Sequence, residues 1–162
     1  MQGGTAFRSG DSIAGHALMD LLRVPFVTRG RDLSGWDCVG LNRYLTKAAF
    51  GVDLPDWGDT YEGTDWRDSQ TLAASITAGM SRFTRIEGAP MFGDWLLFRR
   101  FGVDCHVGWA LSAAQMIHAD DAHAARGRFS VVGGGGTYVA DIDRAPWKGR
   151  LSGVFRPKEA SR

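Results

Sequence analysis

Two spacings of apolar residues divide the chain. In the first half they recur as on one face of a helix. Ile13, Ala17, Leu18, Leu21 and Leu22 follow Asp11 and Ser12, either of which suits an N-cap, and Pro25 ends the run. Leu41, Tyr44, Leu45 and Ala48 predict a helix from about residue 38 to about residue 50, capped by Asp37 and stopped by Gly51 and Pro55. Leu72, Ile76, Met80 and Phe83 place a third helix over Asp68 to Arg85. Beyond Gly93 the spacing changes to alternation. Trp95 to Arg99 reads as a strand, and Asp104 to Leu111 with Gln115 to Ala119 as a hairpin around Ser112-Ala113-Ala114. Phe129 to Val132, Tyr138 to Ile142 and Leu151 to Phe155 are further strand-like runs. Helices followed by about five antiparallel strands imply an α+β fold with the helices packed on one face of the sheet.

The connecting segments add little chemistry. Residues 1–10 form a Gly-rich extended arm, residues 26–37 a loop with Arg29, Arg31 and Asp32, and residues 156–162 a polar tail. Trp57, Tyr61 and Trp66 lie in or near an acidic aromatic loop, where packing around the loop is preferred to a substrate groove or an interface. Gly133 to Gly136 lacks the Lys-[Ser/Thr] and helix start of a phosphate cradle and reads as a hairpin tip.

Composition narrows the classes of function. A chain of 162 residues with 44% hydrophobic content suits a single domain, residues 1–162, with a sizeable core. Its net charge of +1 gives no electrostatic footprint for nucleic acid. No apolar run approaches the roughly 20 residues of a membrane span, so no membrane insertion is expected, nor is a signal peptide. The two cysteines, Cys38 and Cys105, read as free thiols, because a disulfide between them would disable the nucleophile considered next.

Cys38 falls at the first position of the predicted helix, where unpaired N–H groups and the positive dipole end favour a thiolate. His106 and His118 lie on the predicted hairpin. In an antiparallel pair opposed residues have a constant sum, and an even sum puts both histidines on one face. Gly108 and Ala110 leave room on that face, and the Cys38 helix is the expected occupant. One histidine would then activate the thiol while the other orients the first, the arrangement of a catalytic triad. His16 and His123 read as solvated surface residues. Asp104, Cys105, His106, His118, Asp120 and His123 cluster in sequence but lack the paired spacing of a zinc signature, so neither a metal nor another cofactor is expected.

Four blocks in order complete the reading: Gly35-Trp36-Asp37-Cys38-Val39-Gly40-Leu41, Gly93-Asp94-Trp95-Leu96-Leu97-Phe98, His106-Val107-Gly108 and Met116-Ile117-His118-Ala119. Together they resemble the NlpC-type papain-like cysteine peptidases of the bacterial cell wall. The first block followed by Gly51-Val52-Asp53-Leu54-Pro55 resembles the branch found in phage tail assembly and gene transfer agents. The resemblance implies a papain-like α+β fold, with Cys38 as nucleophile, His106 as general base and His118 as orienting residue, a role that the sequence leaves open to Asp120 or another residue. Asp37 and the residue at position 26 would support the oxyanion site. Here the sequence departs from the family pattern, with Phe26 where a tyrosine is common and Val39 where serine is frequent. A phenyl ring donates no hydrogen bond, and losing one oxyanion donor typically costs about a hundredfold in rate or more.

The implied function is a tail-tip cysteine peptidase that hydrolyses amide bonds in peptidoglycan stem peptides and opens the wall during DNA delivery. Its implied partners are peptidoglycan and the hub or baseplate proteins of a phage-like particle, and its location the virion tail tip after synthesis in the bacterial cytoplasm. Two alternatives share the same residues: a mainly structural tail-tip component with a weakened site, and an amidase or acyltransferase.

Overall fold

The computed structural model describes residues 8, 10–57, 74, 76–100, 102–121 and 135–158. The expected strand at residues 129–132, Tyr61, Trp66, His123 and most of the N-terminal arm fall outside them. The chain opens with a small hairpin of β1 (Ser12–Ile13) and β2 (His16–Ala17), then a short helix α1 (Leu18–Leu22). This corrects the single helix expected to begin after Asp11 or Ser12. Ala14 and Gly15 both take positive φ, at 50° and 82°, which makes the tight turn of a hairpin and breaks a helical run.

A second hairpin, β3 (Arg31–Asp32) with β4 (Gly35–Trp36), leads directly into α2 (Cys38–Phe50). Asp37 caps α2 by accepting from the Gly40 N–H, and Gly51 closes it in the left-handed conformation. The predicted third helix ends early. Residues 76–79 are helical, Met80–Arg82 tighten into a 3₁₀ turn, and Phe83–Arg85 is strand β5. Phe83 is the buried end of this strand and pairs with Pro157 at the edge of the sheet, so its apolar side chain serves a strand there.

The remaining strands are β6 (Trp95–Arg100), β7 (Val103–Ala110), β8 (Gln115–Asp120), β9 (Gly136–Asp141) and β10 (Leu151–Pro157). They form a six-stranded antiparallel sheet in the order β5-β10-β6-β7-β8-β9. The α+β architecture is therefore the expected one, with one strand more than the count read from the sequence. Arg156 and Pro157 belong to β10, ahead of the polar tail. Arg156 makes two 2.8 Å bonds to the fully buried Asp94, which explains the Gly93-Asp94 block as a structural anchor.

Period-two alternation places the two sides of the sheet in different cores. Trp95, Leu97, Val107, Trp109 and Ile117 face a core shared with Trp36, Leu41 and Leu45. Leu96, Phe98, Ala110 and Met116 face a second core with Ile142, Trp147 and Val154. Thr46 on α2 fastens the first core, its hydroxyl accepting from the indole N–H of Trp95 at 2.8 Å and of Trp109 at 3.2 Å. Asn42 adds a 2.8 Å bond to the Gly108 carbonyl. The helix thus sits on the Val107/Trp109 side of the sheet, not on the Gly108/Ala110 side expected from residue size. The space at Gly108 is used by Met116 from the neighbouring strand, whose sulfur a Cβ at Gly108 would strike.

Candidate active site

Cys38 is the first residue of α2, and its position is fixed by its neighbour. The Asp37 carboxylate accepts from the Gly40 N–H at 2.8 Å, the Arg29 N–H at 3.0 Å and the Arg31 guanidinium at 2.8 Å. Arg31 in turn reaches Asp56 at 2.9 Å, tying the loop after α2 to the β3–β4 hairpin before it. Gly40 must be glycine, because a Cβ there would meet the backbone carbonyl oxygen of Gly30. Asp37 therefore acts on the backbone as a helix cap.

The thiol does not behave as the helix terminus alone would predict. Cys38 is buried, and burial pushes its pKa up to about 12, helped by the Asp37 carboxylate and opposed by the Val107 backbone N–H that faces the sulfur. The dipole of α2 favours a thiolate, and desolvation opposes it.

His106 and His118 come together where the sheet opens. β7 and β8 pair at Trp109↔Ile117 and Ala110↔Met116, an even sum of 226 that puts both histidines on one face. Below those pairs β7 continues with β6, and β8 with β9, while the two middle strands part. The imidazoles bridge the opening, His106 Nε2 lying 3.1 Å from His118 Nδ1 with their planes at 88°. Both rings are buried, and burial lowers both pKa values, that of His118 to about 4. The pair is neutral at neutral pH.

With Nε2 of His106 bonded to His118, Nδ1 is the nitrogen left to serve as a base. The Cys38 sulfur faces the backbone of Val107, the next residue after His106, and feels the charges of Asp120 and Arg100. The structure therefore brings His106 and His118 together, and sets Cys38 against the backbone of Val107 on a helix that packs on the other face of the sheet.

Three residues complete the surroundings. Arg100 holds both oxygens of Asp120, with Nη1 2.8 Å from Oδ1 and Nη2 on Oδ2. Its guanidinium also lies 4.8 Å from the Trp147 ring centre. Trp147 stacks on His106 at 5.2 Å and 18° and meets His118 edge-on at 4.8 Å. Arg100 and Trp147 carried no sequence signal, being a strand-end arginine and a tryptophan in a loop. Among the described residues, donors of His106, His118 and Asp120 lie within 4.8 Å of one another, a spacing a metal ion would accept. Arg100 engages both carboxylate oxygens, however, so a guanidinium holds the anion at that point.

Phe26 donates its backbone N–H to the Gly135 carbonyl at 3.2 Å and forms a bridge to Trp36. Its ring packs on the core that contains Cys38. Cys105 is buried with its sulfur 3.7 Å from the Arg100 carbonyl, and both cysteines are free thiols. His16 is part-buried against Tyr44, and Trp57 packs edge-on against Trp95, as packing around the loop requires. No helix among the described residues is long and apolar enough to cross a membrane.

An α-helix that begins at a cysteine packs on a six-stranded antiparallel sheet that carries a pair of bonded histidines, a mixed α+β architecture. Residues 23–156 match the NlpC/P60 family, and the chain belongs to that family. It is 30% identical over 95 residues to Protein P54 of Enterococcus faecium, covering 59% of this chain but only 15% of that relative. Its fold is similar to that of the NlpC/p60 domain of the peptidoglycan hydrolase SagA, with a TM-score of 0.52 and 23% identity over 85% of this chain and 91% of that one. An NLP/P60-family protein similar to lipoprotein from Staphylococcus aureus is 21% identical, with a TM-score of 0.48 over 86% of this chain and 38% of that one.

Proposed function

We propose that the chain is a cysteine peptidase that hydrolyses amide bonds in the stem peptides of bacterial peptidoglycan. The observation that carries this reading is the His106–His118 bond at 3.1 Å, made at the opening where the Cys38 sulfur faces Val107. Family membership and the fold shared with a peptidoglycan hydrolase domain support the substrate class. In the reaction the Cys38 sulfur bonds to the amide carbonyl carbon as its proton passes to Nδ1 of His106. His106 then gives that proton to the leaving amine. Water, deprotonated by the same nitrogen, releases the acyl group from sulfur and restores the thiol.

The Gly-Trp-Asp-Cys-x-Gly-Leu block and Gly51-Val52-Asp53-Leu54-Pro55 support a place in a phage-type tail tip, where the enzyme opens the wall during DNA delivery. Its partners there are hub and baseplate proteins. Arg43, on the helix that continues the first block, donates to the Leu54 carbonyl of the second at 2.7 Å. A second reading, a structural tail-tip component with a weakened site, is favoured by the burial of Cys38 and by Phe26 in place of a hydroxyl donor. An amidase or acyltransferase would use the same residues. Digestion of purified peptidoglycan, with fragments identified by mass, separates the readings. New ends within the stem peptide identify the peptidase and name the bond, cleavage at the sugar–peptide amide identifies an amidase, and no release favours the structural role.

A further inference from the structure

Asp120 stands close to the histidine pair without belonging to it. Its Oδ2 lies 4.0 Å from Nδ1 of His118, the same nitrogen that is 3.1 Å from His106 Nε2. Two partners thus compete for one atom. A base at Nδ1 of His106 requires the proton of that ring on Nε2, so His118 Nδ1 must accept and carry no proton. A free carboxylate beside His118 would reverse this, by drawing a proton onto Nδ1 and taking the resulting N–H for itself. His106 would then lose its acceptor.

We propose that Arg100 is a positioning residue that withholds Asp120 from His118 and so fixes the tautomers of both histidines. This rests on the peptidase reading above. Arg100 ends β6 with its side chain largely buried, and its fork takes both oxygens of Asp120, holding the carboxylate beyond hydrogen-bond reach of His118. The same guanidinium lies 4.8 Å from the ring centre of Trp147, and Trp147 is stacked on His106. One cation therefore controls the neighbours of both rings. A buried ion pair is weak evidence for stability, since apolar residues of similar volume often serve as well. Its placement between Trp147 and Asp120, each against a histidine, gives it a specific task. The depressed pKa values of His106 and His118 agree with a neutral pair beside a neutralised carboxylate.

The test uses Arg100→Gln and Asp120→Asn. Nitrogen-15 NMR of the two histidines in the Cys38→Ala background reads the tautomers without any need for activity. The native arginine should give an unprotonated Nδ1 on His118, and Arg100→Gln should give a protonated one. In the active chain Arg100→Gln should lower kcat about a hundredfold, with KM changed less than about threefold. Asp120→Asn alone should keep kcat within about fivefold, and adding it to Arg100→Gln should restore at least about tenfold. An unchanged His118 tautomer in Arg100→Gln overturns the proposal, as does Asp120→Asn losing activity as severely as Arg100→Gln. If Arg100→Gln does not fold, the outcome of Asp120→Asn alone decides. If Cys38→Ala is as active as the native chain, the peptidase reading fails instead, while the NMR comparison still decides the role of Arg100.

Discussion

His106 Nε2 and His118 Nδ1 are 3.1 Å apart across the gap between β7 and β8, so each imidazole fixes the orientation of the other. In the proposed reaction His118 orients His106. Replacing it with Ala leaves His106 without an acceptor and should lower kcat about 10- to 1000-fold with little change in KM, whereas His118→Asn keeps an acceptor and should lose less. Steady-state kinetics on peptidoglycan fragments check this. Full activity of His118→Ala would remove it from the site.

Burial of these rings ties stability to acidity. His118 titrates near 6.5 when unfolded and near 4 in the fold, so between those values the unfolded chain binds a proton that the folded chain refuses. Stability is therefore complete above about pH 6.5 and falls as the pH drops toward 4, by on the order of 3 kcal/mol from His118 alone. His106 shifts in the same direction. Asp120, lowered from 3.8 to about 2, extends the loss below pH 4. Urea denaturation at pH 7, 5.5 and 4.5 should give steadily lower midpoints. A midpoint constant over that range would contradict the neutral, buried pair.

Cys38 offers a separate titration. A thiol raised to about 12 should be alkylated slowly at neutral pH, its rate rising roughly tenfold per pH unit between pH 6 and 9. Iodoacetamide labelling followed by peptide mapping distinguishes Cys38 from Cys105. A fast rate that is flat from pH 5 to 8 would mean a resting thiolate–imidazolium pair, contrary to the burial described.

Gly40 carries the entry to α2 past the Gly30 carbonyl. Gly40→Ala forces that backbone apart and should destabilise the protein by about 1–3 kcal/mol, despite the better helix propensity of alanine. Thermal unfolding should show a lower Tm. A raised Tm would mean that the loop yields without cost.

The strands and the helix of Cys38 were legible because their signals are local: alternation at Trp95–Arg99 and across the histidine hairpin, and Asp37 before an apolar repeat closed by Gly51. The shared face of His106 and His118 followed from parity. The face taken by α2 did not, because small size at Gly108 and Ala110 suits a neighbouring Met116 as well as a helix. The Ser12–Ala17 hairpin escaped because only Gly15 announces its turn, while Ala14 adopts positive φ without a signal. Arg100, Asp120 and Trp147 meet through the tertiary fold, and the burial that opposes the dipole at Cys38 likewise arises only in the folded chain.

The central claim is that Cys38 is a nucleophile activated by His106. The most direct test is labelling by a stem-peptide mimic that ends in a chloromethyl ketone, with the modified residue located by mass spectrometry. The account predicts one equivalent on Cys38, none on Cys105, and a rate at least about a hundredfold lower in His106→Ala. No labelling of Cys38, or labelling at the same rate without His106, would contradict it.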